Sequence, residues 1–189
     1  VQSNINQFGA LAMAGCGSYS KIEGFGFIPV TCFSQALTTF IGQNLGAKEY
    51  DRTKKGALFG TICGIGIAEV IGIAVFFFSP YLIAAFGGDQ KAIEYGIAEA
   101  HTIALFYCLL AFSHCMAAIQ RGAGRSIVPM FVIMLVWCGV RVTYISIVIR
   151  IIPVINVIYW AYPLTWFISS MIFLILFLKT DWIHGLEKQ

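Results

Sequence analysis

Residues 127–149 read IVPMFVIMLVWCGVRVTYISIVI, a run whose single charge is Arg141. The hydrocarbon core of a bilayer takes about 20 apolar residues per spanning helix. No buried soluble core explains so long a run with so little charge, and the rest of the chain repeats the pattern. Of its 189 residues, 59% are hydrophobic and only 11% charged, with a mean hydropathy of +0.82. Soluble domains carry roughly 25% charged residues, so this chain lacks the surface that a soluble fold needs. The class is an all-α integral membrane protein.

Five complete spans are expected, at Ile22–Leu45, Gly56–Phe78, Ala92–Ile119, Ile127–Ile149 and Val154–Leu178. Residues 1–20 are rich in Gly, Ala and Asn and too polar to span, so they read as the end of a further helix followed by a bend. The connections are short, as antiparallel neighbours in a bundle require. The chain opens at Val1 without a Met or a signal-peptide pattern and reads as a fragment.

Lys and Arg in the loops set the expected orientation. Lys48, Arg52, Lys54 and Lys55 crowd one loop, Arg121 and Arg125 another, and Lys179 and Lys188 the tail. The opposite loops hold only Lys91 and Arg150, so the first group and the C-terminus are placed in the cytoplasm, with Lys21 as a small dissent. A net charge of +3 does not point to nucleic acid. Cys16, Cys32, Cys63, Cys108, Cys115 and Cys138 are scattered singly, which supports neither a metal site nor a disulfide framework. No catalytic triad, HExxH motif or phosphate-binding loop is present, so neither an enzyme nor an ATP-driven pump is indicated, and no cofactor is expected.

Small residues recur every fourth position. Gly56, Gly60, Gly64, Ala68 and Gly72 form one stripe, and Ser34, Thr38, Gly42 and Gly46 another. Such stripes let helix backbones approach closely in lipid; a groove for substrate is the alternative. Pro29 and Pro163 lie within spans and Pro129 near a span start, where each frees a backbone carbonyl and favours a kink.

Ionisable groups inside a membrane invite a functional reading. Glu69 and Arg141 each sit about 20 Å from the same side of the membrane by helical rise, so they are candidates for a buried ion pair. Proton or cation handling by Glu69, or a position facing lipid, stays open. Glu99 and His101 fall near the outer end of their span and read as solvated. His114 lies deeper, where it either takes up a proton near neutral pH or donates to a carbonyl. Gln35, Gln43 and Asn44 either line a cavity or bond across helices. In the turn after the first span, Asn44 and Gly46 end the helix, with Gly46 suited to a left-handed cap.

The stretch KIEGFGFIPVTCFSQALTTFIGQNLGAKEYDRTKKG (residues 21–56) resembles the start of the C-terminal lobe of MATE (multidrug and toxic compound extrusion) transporters. There a Pro-containing span leads into a Gln-Asn-x-Gly-Ala turn and a basic stretch. RGAGRSIVPM (121–130) is similar to that family's loop between helices ten and eleven, and YPLTW (162–166) to a stretch of its twelfth helix. The likeness runs in order along nearly the whole chain. It implies half of a twelve-helix, two-lobe antiporter in the plasma membrane, exchanging cationic or amphiphilic compounds for H⁺ or Na⁺. Residues 1–20 would then be the end of helix 7 and a connecting bend, 21–179 helices 8–12, and 180–189 a cytoplasmic tail.

On that resemblance, Gln35, Ser113 and His114 are the candidate substrate-cavity residues. Glu69 and Arg141 are candidates for ion coupling or a buried pair, and Gln43, Asn44, Gly46 and Arg52 for a turn in the cytoplasmic closure. Sodium-linked members carry an acid in helix 10 about three turns before the Arg-Gly pair, where this chain has Leu109–Leu110. The partners implied are the bilayer, the N-terminal lobe and the transported compounds. A lipid-linked saccharide flippase of the same superfamily, or a small membrane scaffold pairing through its Gly stripes, are the competing readings.

Overall fold

Backbone N–H and C=O groups have no water to bond within a bilayer, so apolar runs of this length must fold as helices. The computed structural model describes residues 2–183, and the helices are there. A short turn, α1 (Gln2–Ile5), is followed by α2 (Ala10–Gly46), α3 (Tyr50–Ala84), α4 (Gln90–Gly122), α5 (Ile127–Ile151) and α6 (Asn156–Lys179). The last five are each long and apolar enough to cross a membrane. Of the tail expected at 180–189, positions 184–189, with Lys188, lie outside the described residues, as does Val1.

The expected bend ahead of the first span is displaced. The chain turns at Gly9, whose φ of 96° favours glycine, and from Ala10 it is helical without interruption to Gly46. Residues 10–20 are thus the first three turns of α2, and polar composition alone misjudged them. Pro29 sits inside α2 and Pro163 inside α6 without ending either helix.

The helix ends follow local chemistry. After α2 the Glu49 N–H donates to the Asn44 carbonyl at 2.9 Å and the Lys48 N–H to the Leu45 carbonyl at 3.0 Å. This is a Schellman closure, and the left-handed residue it needs is Lys48, with φ of 59°. Gly46 is still helical, which corrects the cap assigned to it. After α4 the same closure recurs, with Arg125 bonding Gln120 and Gly124 in the left-handed position at φ 79°. Asp89 starts α4 by accepting from the Lys91 N–H at 2.9 Å.

The small-residue stripes pack helix on helix. Ser34 donates to the His114 carbonyl at 3.2 Å and Thr38 to the Ala118 carbonyl at 3.3 Å. A side chain at Gly42 would lie 3.5 Å from the Gly122 carbonyl. Each contact joins residues eighty apart, so α2 and α4 run in the same direction in fixed register. The α3 stripe is filled likewise, with Gly56 against Phe40, Gly60 against Leu37 and Gly64 against Cys115.

Two helices are irregular. α4 tightens to 3₁₀ geometry over Ala104–Phe106, and α5 widens to π geometry over Met134–Val140. Gly72 of α3 faces the first break, where a Cβ would run into the Ala104 carbonyl. One turn earlier on α3, the Glu69 carboxylate accepts the Cys108 N–H at 3.1 Å.

Candidate functional site

Arg141 follows directly on the π-helical segment of α5. An arginine at this depth must find partners within the protein. Its Nε and Nη2 both donate to Thr165 Oγ1, at 3.1 and 2.7 Å. The guanidinium carbon lies 4.3 Å from the Tyr162 ring centre and 5.6 Å from that of Trp137, so cation–π attraction adds to the hydrogen bonds. Thr165 is fully buried and passes its own proton to the helix, toward the Ala161 or Tyr162 carbonyl. It stands two residues after Pro163, whose ring cannot supply the N–H that the Tyr159 carbonyl would otherwise accept.

The ion pair expected between Glu69 and Arg141 is not formed among the described residues. Glu69 is engaged by the Cys108 N–H and Arg141 by Thr165 and two aromatic faces.

The acid that does face Arg141 is Glu23 of α2. Both line a cavity of about 250 Å³, walled by Phe27, Trp137, Tyr162 and Trp166 and reaching Ser20 and Leu110. Glu23 and Arg141 feel each other's charge but form no ion pair. Among the described residues the Glu23 carboxylate accepts no hydrogen bond, and it borders the open space. Four aromatic rings, a carboxylate that accepts no hydrogen bond among the described residues and an arginine held by Thr165 line the chamber.

The other residues picked from the sequence divide. The His114 ring packs edge-on against Phe27 at 4.9 Å and Trp137 at 5.5 Å, both cavity-wall residues. It therefore stands behind the wall, and its Nε2 is buried without a partner among the described residues. Ser113 does not border this chamber: it is fully buried, with its hydroxyl 2.9 Å from those of both Ser169 and Ser170. Gln35 is exposed and does not border this chamber. Asn44 is buried and its amide donates to the Phe40 carbonyl at 2.7 Å, while Gln43, Gly46 and Arg52 are exposed. Arg121 donates to Ser34 at 3.1 Å, fastening the end of α4 to α2.

A second polar group lies where Glu99 was expected to meet solvent. Glu99 is only 3% exposed and its Oε2 has no partner among the described residues. It is buried beside Cys16, whose sulfur lies 3.5 Å from the Tyr159 hydroxyl. That hydroxyl donates to the Tyr95 carbonyl at 3.3 Å. Nearby, the Tyr19 and Tyr107 hydroxyls are 3.1 Å apart. No cluster of three or more His, Cys, Asp or Glu suited to a metal occurs among the described residues.

Sequence reasoning passed over Glu23, which falls at the very start of a span expected to begin at Ile22. The available signal was the spacing of Tyr19 and Glu23, one helical turn apart and on one face. The MatE family model matches residues 2–147. The chain belongs to the MatE family.

MatE relatives include the Probable multidrug resistance protein NorM of Thermotoga maritima, 30% identical over 124 residues, 66% of this chain and 27% of that protein. Probable multidrug resistance protein YoeA of Bacillus subtilis is 25% identical over 146 residues, 75% of this chain and 31% of its own length. This chain thus spans less than a third of each. Among solved structures, the MATE transporter ClbM in complex with Rb⁺ superposes with a TM-score of 0.88 at 17% identity, over 98% of this chain and 44% of that one. An outward-facing MATE multidrug transporter gives 0.86 at 19% identity, over 94% and 40%. The chain is a multi-pass membrane protein with the helical architecture of MATE transporters, a family of transporters.

Proposed function

We propose that this chain is the C-terminal lobe of a multidrug antiporter, helices 8–12 with the end of helix 7, and that its Glu23 carboxylate binds cationic substrate and coupling ion in turn. The observation that carries the reading is a carboxylate without a hydrogen-bond donor among the described residues, bordering an aromatic-walled cavity within the membrane-spanning helices. An organic cation gains the carboxylate's charge and the ring faces together. H⁺ or Na⁺ arriving at the same carboxylate removes the charge that holds the substrate. Competition for one group then couples the two fluxes without a conformational signal between separate sites. The basic loops favour a cytoplasmic C-terminus in the plasma membrane, and the opposing wall of the chamber belongs to the N-terminal lobe.

The test is efflux of a fluorescent organic cation from proteoliposomes holding the full-length protein, under an imposed H⁺ or Na⁺ gradient. Glu23→Gln is expected to lower ion-driven transport at least tenfold, while thermal stability changes little. Ion-driven transport at the wild-type rate in Glu23→Gln would sink the proposal.

A lipid-linked saccharide substrate draws support from Arg141 in the cavity wall. Two of its five N–H groups are held by Thr165 and its flat face lies against two rings, so the multidrug reading rests on Glu23, whose carboxylate accepts no hydrogen bond among the described residues. The scaffold reading loses its main support, because the α3 stripe is filled by Phe40, Leu37 and Cys115 of this same chain.

A further inference from the structure

Away from the Glu23 chamber, a groove of about 490 Å³ opens between the start of α3 and the ends of α4 and α6. Its walls are Leu58, Met116, Leu174, Phe177 and Trp182, and its one charged group is Lys54. The Thr61 hydroxyl is turned away from it into α3, donating to the Ala57 carbonyl at 2.8 Å. Trp182 closes one side, stacked on Phe177 with ring centres 5.2 Å apart. The segment carrying Trp182 is fixed by Arg125, whose Nη2 donates to the Asp181 carbonyl at 2.8 Å. The groove is thus built from fixed parts.

Its surroundings specify the occupant. Leu58, Met116, Leu174 and Phe177 belong to helices long and apolar enough to cross a membrane, where the medium against an open face is hydrocarbon. The volume suits a single long hydrocarbon chain. Lys54 is exposed, and no carboxylate pairs with it among the described residues. Lys48, Arg52, Lys55, Arg121, Arg125 and Lys179 outnumber the acids Glu49, Asp51 and Asp181 on the segments at this end of the bundle, giving it a net basic rim where lipid phosphates lie.

We propose that this groove is a lipid site, seating one acyl chain of an anionic glycerophospholipid whose phosphate pairs with Lys54. The site is independent of the transport reading. Bound lipid would bridge α3, α4 and α6 at the basic end and hold their spacing.

Trp182 supplies the probe. Full-length protein in neutral detergent is titrated with brominated phosphatidylglycerol or brominated phosphatidylcholine, and the quenching assigned to Trp182 is the difference between wild type and Trp182→Phe. Phosphatidylglycerol is expected to quench at about fivefold lower mole fraction, the preference one lysine at a lipid surface confers. Lys54→Gln, a change at an exposed position, should abolish that preference. Non-denaturing mass spectrometry should in parallel find less phosphatidylglycerol retained by Lys54→Gln. Equal quenching by the two lipids in wild type overturns the proposal. So does the absence of Trp182 quenching by either, which would mean that the C-terminal residues or another part of the protein covers the groove.

Discussion

The Glu69 carboxylate on α3 accepts the backbone N–H of Cys108 on α4, at 3.1 Å, just past the point where α4 tightens into 3₁₀ geometry. The tightened segment disturbs the regular α-helical bonding, and a carboxylate from a neighbouring helix takes the freed donor. An acid within the span is therefore explained by a defect in the adjacent helix. Glu69→Ala should leave that N–H unpaired and lower stability by roughly 1–3 kcal/mol. Glu69→Gln keeps an acceptor oxygen and should lose less. Thermal unfolding in detergent ranks the two, and ion-coupled transport by Glu69→Gln should keep its wild-type pH dependence.

Arg141→Lys is expected to behave as a loss. Lysine cannot repeat the paired donation to Thr165 while lying flat against Tyr162. Thr165→Val removes the same acceptor while keeping the shape. Both should weaken substrate binding several-fold in equilibrium titrations of the full-length protein. If Thr165→Val binds as wild type does, this hydrogen bond does not organise the chamber.

Close backbone approach predicts a pair of glycine effects. A Cβ at Gly72 meets the Ala104 carbonyl, whereas one at Gly66 meets nothing within 4 Å. Gly72→Ala should destabilise by about 1–3 kcal/mol through overpacking. Gly66→Ala should be neutral or slightly stabilising, since alanine is the better helix former. Unfolding midpoints measured side by side decide this.

Lys48 holds a left-handed conformation that a Cβ disfavours by about 1–2 kcal/mol. Lys48→Gly should therefore raise the unfolding midpoint, and Gly124→Ala, in the matching position after α4, should lower it. An unchanged midpoint in both would show that neither closure limits stability.

Vesicles containing only these 189 residues should show no drug efflux, because the Glu23 chamber would lack its opposing lobe. Transport by the isolated chain would refute that arrangement.

The spans themselves were legible, since a run such as 127–149 admits no other solution in lipid. The stripes were legible too, because a four-residue period is visible without coordinates. Two misreadings share one cause. Placing the first span's start at Ile22 put Glu23 at the membrane edge, but with α2 beginning at Ala10 it lies about 20 Å along the helix. The same three added turns bring Cys16 against Glu99 and bury a carboxylate expected in water. Gly15 belongs to this contact, for a Cβ there would strike the Ala92 carbonyl. The Glu69–Arg141 error differs in kind. Helical rise fixes the height of a residue but not the direction it faces, and the π-helical turns of α5 alter that direction just ahead of Arg141.

The eighty-residue offset shared by Ser34–His114, Thr38–Ala118 and Gly42–Gly122 has a mechanical consequence. These contacts mesh like the teeth of two combs, so α2 can slip along α4 only by whole notches of one helical turn, about 5.4 Å. Arg121, latched to Ser34, locks the combs at one notch. Small motions must therefore carry α2 and α4 together as one plate.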